Sequence, residues 1–191
     1  MDHIRLATFA DAAGILAIYA PIVRETPISF ELEPPSPMEM QLRIEDSLTT
    51  LPWVVWDSDG KVIGYAYGSR HRERAAYRWS VDVSAYVAAD MRRQGVGRTL
   101  YDVLFSILRE LGYYTAFAGI TLPNLGSVKF HEAVGFRPVG VYRHVGFKLG
   151  KWHNVGWWGC PLRAYKGEPE PPRAMSELSP EQLQQRLNGV R

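Results

Sequence analysis

The sequence predicts an α/β (α+β) fold, a single mixed central sheet flanked by helices. Three observations carry that prediction. Strand-like and helix-like patterns follow the order β, α, α, three strands, α, β, α, β, β, which is not the strict alternation of a doubly wound dinucleotide fold. A hairpin pattern sits mid-chain, with Trp53-Val54-Val55-Trp56, a turn at Asp57-Ser58-Asp59-Gly60, and a second strand over 62–67. A Gly- and Arg-rich turn, Arg92-Arg93-Gln94-Gly95-Val96-Gly97, then separates a β-branched and aromatic stretch from an amphipathic helical one.

The elements follow in order. Residues 4–7 read as a first strand. Thr8 and Asp11 form a capping-box pattern for a helix whose apolar positions Ala12, Ile15, Leu16 and Tyr19 recur up to Pro21. Residues 28–33 read as extended and end at a Pro-rich break. Residues 37–48 read as a second helix with Met38, Leu42 and Ile44 apolar. Residues 77–87 form a long strand, and 98–111 a helix with Leu100, Leu104, Ile107, Leu108 and Leu111 on one side. Residues 115–121 are a strand, and 127–134 a short helix stopped by Gly135. Residues 139–142 and 154–159 are closing strands joined by a Gly-, Lys- and Trp-rich loop. Residues 1–165 thus form one domain. Residues 166–191 are a Pro- and Glu-rich tail with a short helix over 181–187, capped by Ser179 with Pro180 in its first turn.

Composition narrows the function. The chain has 191 residues and a formal net charge of +2, and its basic residues are scattered outside the cluster near 92, which argues against nucleic acid as a partner. One cysteine, Cys160, excludes an internal disulfide and a cysteine metal cluster; it reads as a small buried hydrophobe. His3, His71, His144 and His153 lack metal-ligand spacing, so no metal is expected. No apolar run is long enough for a membrane span, and the expected location is the cytoplasm.

The turn at 92–97 is an anion site in outline. Free N–H groups at a helix N-terminus favour a phosphate, Gly95 and Gly97 allow close approach, and Arg92, Arg93 and Arg98 add charge. The same residues also fit an ordinary strand-to-helix turn. The absence of the full G-x-G-x-x-G pattern argues against NAD, and a P-loop Lys-Ser/Thr is missing as well.

Here the chain resembles a known family, the GNAT superfamily of N-acetyltransferases. Arg92-x-x-Gly95-x-Gly97 fits its glycine motif, and Asn124-Leu125-Gly126-Ser127 with Gly135-Phe136 fits its second mark. Over about residues 4–162 the chain is similar to the phosphinothricin and methionine sulfoximine/sulfone acetyltransferases. The likeness lies in Ile28-Ser29-Phe30-Glu31, Ala76-Tyr77-Arg78-Trp79, Leu122-Pro123-Asn124, His131-Glu132-Ala133 and residues 146–153. The resemblance implies acetyl-CoA as co-substrate and the α-amine of a small glutamate- or methionine-derived amino acid as acceptor. A protein N-terminus, a polyamine, or a non-catalytic CoA-binding role are the competing readings.

By the resemblance, acetyl-CoA would contact Ala85, Tyr86 and Val87, the loop Arg92, Arg93, Gln94, Gly95, Val96, Gly97 and Arg98, and then Asn124, Ser127 and Ala133. Asp82 stands where the close relatives carry glutamate, and reads either as the base that takes the acceptor's proton or as an Asp bonded to nearby backbone. His131 reads either as an imidazolium that protonates the leaving thiolate or as a packing residue. Phe30, Ala75, Ala76 and Tyr77 would face the amino acid. Arg72, Arg78 and Lys148 are candidates for its carboxylate or head group, or are surface charges. Asn154 departs from the Asp usual in the relatives. Trp152, Trp157 and Trp158 read as core or interface, and the resemblance implies a homodimer.

Overall fold

The computed structural model describes residues 2–188; the last three residues of the predicted tail and Met1 lie outside that range. Seven strands form one mixed sheet: β1 (His3–Leu6), β2 (Trp53–Ser58), β3 (Lys61–Arg70), β4 (Ser80–Val87), β5 (Thr115–Leu122), β6 (Arg137–Lys148) and β7 (Lys151–Pro161). Their order is β1-β2-β3-β4-β5-β7-β6. Among the described residues only β4 and β5 run parallel. The helices are α1 (Ala12–Glu25), α2 (Pro37–Thr50), α3 (Val96–Leu111), α4 (Leu125–Ala133) and α5 (Pro180–Asn188). None is long and apolar enough to cross a membrane.

Two apolar clusters cover the two faces of the sheet. On one face α1 and α2 bury Ile15, Tyr19, Val23, Met40 and Ile44 against Trp53, Val55 and Tyr65. On the other, α3 buries the five predicted leucine and isoleucine positions together with Tyr101, Val103 and Phe105, over Val54, Ala66, Val81, Val83, Ala116 and Ala118. Burying such a stripe gives an amphipathic helix most of its stability.

Several elements depart from the sequence expectation. α1 runs through Pro21 to Glu25, because Ile18, Ile22 and Val23 are buried on either side of the proline and offset its missing hydrogen bond. The predicted Thr8–Asp11 capping box forms, but it opens a short 3-10 turn over Phe9–Asp11 that leads into α1. In α2 the buried residues are Met40 and Ile44, whereas Met38 and Leu42 face solvent. Residues 28–33 form a bent loop, not a strand. Residues 75–77 make a 3-10 turn, so β4 begins only at Ser80, where Thr115 of β5 becomes available as a partner.

The expected loop at 143–153 is a hairpin. Lys148 pairs with Lys151 across a two-residue turn whose central residues, Leu149 and Gly150, both have positive φ, the backbone that a tight hairpin turn demands. The ladder shifts register between Tyr142 and Gly146, and there the His144 N–H donates to Asn154 Oδ1 at 2.8 Å. Asn154 thus anchors an irregular strand.

The C-terminal segment is not loose. Met175 is buried, and Leu178, Leu183 and Leu187 pack on the α3 cluster. Arg173 and Arg186 donate to the two Glu110 carboxylate oxygens at 2.8 and 2.7 Å, and the Arg173 N–H donates to Leu111 O. Ser179 Oγ accepts from the Gln182 N–H, so the predicted cap forms. Glu110→Ala is expected to cost about 1 kcal/mol, given the partial exposure of both guanidinium groups, and to expose the tail to cleavage in limited proteolysis. An unchanged digestion rate would show that the apolar contacts alone hold it.

At the other end Arg5 joins Asp11 and Asp57, donating to Asp11 through both terminal nitrogens at 2.7 Å. Burial opposes the Asp11 charge, but Arg5 and the Thr8 donors outweigh it and hold the carboxyl below its ordinary value. That contribution is complete above the unfolded carboxylate range and is lost as pH falls through the depressed folded value. Asp11→Asn should therefore lose about 2 kcal/mol at neutral pH. In urea titrations repeated at falling pH, the gap to wild type should close in strong acid.

Candidate active site

The site begins where two strands part. β4 and β5 pair only from Ser80–Thr115 to Asp82–Phe117; beyond that point no ladder joins them. From Val83 onward, the edge of β4 that faces β5 therefore carries backbone groups without a strand partner, a need that an inserted ligand can meet. The wedge is lined by Val83, Ser84, Ala85 and Tyr86 on one side and by Ala118, Gly119, Ile120 and Thr121 on the other.

The wedge opens into a groove of about 530 Å³ that runs to the start of α3. Ala85, Tyr86, Asn124, Ser127 and His131 line both, so the two are continuous. At the far end Gly95 caps α3 with φ 87°, a left-handed backbone that favours glycine, and no side chain caps the helix. The leading N–H groups of α3 are thus open to an anion, and the helix dipole favours negative charge there. Arg92, Arg93 and Arg98 line the same end. Gly97 gives Phe130 room, since a Cβ at 97 would lie 3.2 Å from its ring.

Most of the expected cofactor residues come together in this groove: Ala85, Tyr86, Val87, Arg92, Arg93, Gly95, Val96, Gly97, Arg98, Asn124 and Ser127. Two stand outside its lining. Gln94 turns its amide back to Asp90 O, and Ala133 offers its carbonyl to Arg98, tying α4 to α3. Ile22, Ile28, Met91, Gly126 and Phe130 also line the groove. They are apolar or small residues from distant segments, without chemistry that sequence spacing could flag. Asn124 Oδ1 caps α4 by accepting from the Ser127 N–H at 3.1 Å.

His131 is buried. Its Nδ1 lies 2.8 Å from Ser127 O, so Nδ1 carries the proton and Nε2 accepts from the Tyr101 hydroxyl at 3.0 Å. Burial pushes its pKa below the ordinary histidine value despite the Ser127 carbonyl. The imidazolium considered from the sequence is therefore disfavoured, and in the neutral ring both nitrogens are occupied. Tyr101, a fully buried residue that the sequence did not single out, lines the wedge beside it.

Asp82 stands at the apex of the wedge, in the last pair before the strands part. Burial raises its carboxyl above the usual carboxylate range, partly opposed by His71 and Arg72. Asp82 Oδ1 lies 2.6 Å from Nδ1 of His71. His71 follows β3, stacks on Phe117 at 4.5 Å and meets Tyr77 and Trp157 edge-on. The sequence spacing excluded His71 only as a metal ligand. Nothing local links residues 71 and 82; the β3–β4 register, which pairs Ser69 with Asp82, brings them together.

The other expected acceptor residues divide. Tyr77 borders His71, and the Arg72 guanidinium sits 5.5 Å over the Trp157 ring. Phe30 is partly exposed and packs against Gly146 and the His153 ring. Ala75 and Ala76 lie in the exposed 3-10 turn, where Arg78 Nε bonds Ala75 O. The Lys148 amine is buried and donates to Val23 O and Ser29 O at 2.6 and 2.7 Å, holding the 26–35 loop onto β6. Its hydrogen bonds go to backbone, not to open space.

Comparison with known proteins agrees with this geometry. Residues 4–157 match the acetyltransferase (GNAT) domain family. The chain is 36% identical over 177 residues to the phosphinothricin N-acetyltransferase of Streptomyces viridochromogenes, covering 93% of this chain and 94% of that protein. It is 33% identical over 170 residues to the L-methionine sulfoximine/L-methionine sulfone acetyltransferase of Pseudomonas paraeruginosa, covering 87% and 98%. A crystal structure of a phosphinothricin acetyltransferase from Sinorhizobium meliloti in complex with acetyl-CoA superposes with a TM-score of 0.83 at 34% identity, covering 88% of this chain and 93% of that one. A parted parallel strand pair, a glycine-capped anion site and these matches together place the chain in the GNAT family of acetyltransferases.

Proposed function

We propose that the protein transfers the acetyl group of acetyl-CoA to the α-amine of a small amino acid of glutamate or methionine shape, such as phosphinothricin, methionine sulfoximine or methionine sulfone. The observation that carries this reading is the parting of β4 and β5 directly into the groove that ends at the Gly95-capped start of α3. A pyrophosphate fits the anion end. An elongated arm fits the groove, and the unpaired β4 edge can donate to a thioester carbonyl as charge develops on it.

The acceptor would enter from the side of His71, Asp82, Tyr77, Phe117 and Trp157. Arg72, exposed and held over Trp157, is positioned to meet a carboxylate or a tetrahedral head group. The acceptor arrives as an ammonium ion, and the partly buried Asp82 carboxylate with its bonded imidazole supplies the basic group that this step needs. Tyr101 and His131, hydrogen-bonded to each other in the wedge, stand where a leaving thiolate would need a proton.

The Val139, Val141, Val145, Phe147 and Trp152 side chains leave an apolar surface on the β6–β7 hairpin, which favours a homodimer. Sedimentation should then report twice the monomer mass.

A thiol-release assay with acetyl-CoA tests the activity. Methionine sulfone, methionine sulfoximine and phosphinothricin should turn over, and spermidine and a short peptide should not. CoA binding without turnover on any of the three amino acids would overturn the acceptor assignment. Arg93→Ala should raise the KM for acetyl-CoA about 10-fold with little change in kcat, the signature of a lost ground-state phosphate contact. An unchanged KM would place the pyrophosphate elsewhere.

A further inference from the structure

The geometry points to His71 as the catalytic base of this enzyme, with Asp82 as the residue that positions and charges it. This rests on the acetyl-transfer reading above and names the atom that takes the acceptor's proton.

Three features support it. The first is the pair itself. A carboxylate can only accept, so the 2.6 Å contact between Asp82 Oδ1 and His71 Nδ1 fixes the proton on Nδ1. The Nε2 lone pair then points away from the carboxylate, and Nε2 makes no hydrogen bond among the described residues. A base oriented by a third group in this way is the arrangement that activates hydroxyl nucleophiles in unrelated enzymes.

The second is place. Asp82 and Phe117 are the last paired residues before β4 and β5 part, and His71 lies flat on Phe117. The imidazole thus sits at the apex of the wedge, on the side of Trp157 and Arg72. Asp82 has a short side chain with one oxygen committed to the ring. The imidazole carries the basic site past it toward the acceptor side.

The third is the shape of the enclosure. Phe117, Tyr77 and Trp157 surround the ring and limit its rotation. The titratable or charged groups facing it are Asp82 from β4, Tyr77 from the turn before β4, and Arg72 beside it in the chain. Of these only Asp82 is an anion at neutral pH, so the set gives an imidazolium one close counter-ion.

The step balances without a further reactant. Nε2 takes one proton from the acceptor ammonium, and the imidazolium is held by the Asp82 carboxylate. The freed amine forms the C–N bond at the thioester carbonyl as the C–S bond breaks. The nitrogen's second proton goes to the leaving thiolate, and the imidazolium returns its proton to water.

The test compares His71→Gln, His71→Ala and Asp82→Asn, each checked by CoA binding for an intact groove. Replacing His71 by Gln should lower kcat about 10²-fold or more while leaving the KM for acetyl-CoA within about twofold. Added imidazole should restore part of the activity of His71→Ala, an effect that lost packing would not show. In Asp82→Asn kcat should fall while the KM for acetyl-CoA stays within about twofold, because the imidazole loses the partner that orients it. A His71→Gln kcat within about threefold of wild type, or His71→Ala inactive and unresponsive to imidazole, would overturn the proposal. Activity lost in Asp82→Asn but kept in both His71 variants would make the carboxylate itself the base, leaving the acetyl-transfer reading intact. Nitrogen NMR of the His71 ring decides independently of any acceptor: a neutral ring protonated on Nε2 would also overturn it.

Discussion

The structure depends on one constraint: two parallel strands that are paired at one end and parted at the other. Backbone groups withdrawn from a ladder are costly unless something else satisfies them. The chain can hold β4 and β5 apart because each is secured elsewhere. β4 is paired along its length with β3, and β5 with β7, so neither relies on the other beyond Asp82 and Phe117. Beneath the parting, the leucine stripe of α3 shares one apolar cluster with Val81 and Val83 of β4 and Ala116 and Ala118 of β5. The open edge is thus a feature of the fold itself, held by the pairing of each strand with its other neighbour.

The same helix supplies the second half of the site. α3 starts on a glycine in a left-handed conformation, and its leading N–H groups lack a side-chain cap. One element therefore anchors the wedge at one end and presents an anion site at the other. Gly64 allows this closeness, since a Cβ there would come within 2.9 Å of Val96 and 3.1 Å of Leu100. The distance between the parting of the strands and the start of α3 is then set by the length of β4 and the exposed turn after it.

The polar groups in and beside the wedge divide by burial. His131 and Tyr101 are buried together and hydrogen-bonded to each other, and burial pushes the histidine's pKa down. Asp82 and His71 are less enclosed and carry the anionic member, with burial raising its carboxyl. Two hydrogen-bonded pairs in different surroundings thus stand near the point where the strands part. Away from the site, Glu110, Asp11 and Lys148 tie the tail, the first strand and the 26–35 loop to the body of the sheet.

What the sequence determined by itself was the local chemistry. Hydrophobic periodicity laid out α3 and the order of strands and helices, the Gly-Arg turn marked the start of α3 at one end of the groove, and Gly135 and Ser179 marked helix boundaries, because each signal is written within a few residues. The tertiary structure decided what depends on partners far apart in the chain. Pro21 stays helical because both of its flanks are buried. The polar tail is ordered because four scattered apolar side chains meet α3. Lys148 serves the backbone of a loop more than a hundred residues away. The meeting of His71 with Asp82 follows from strand register alone, and register is fixed by the whole sheet, so no spacing in the sequence could have announced it.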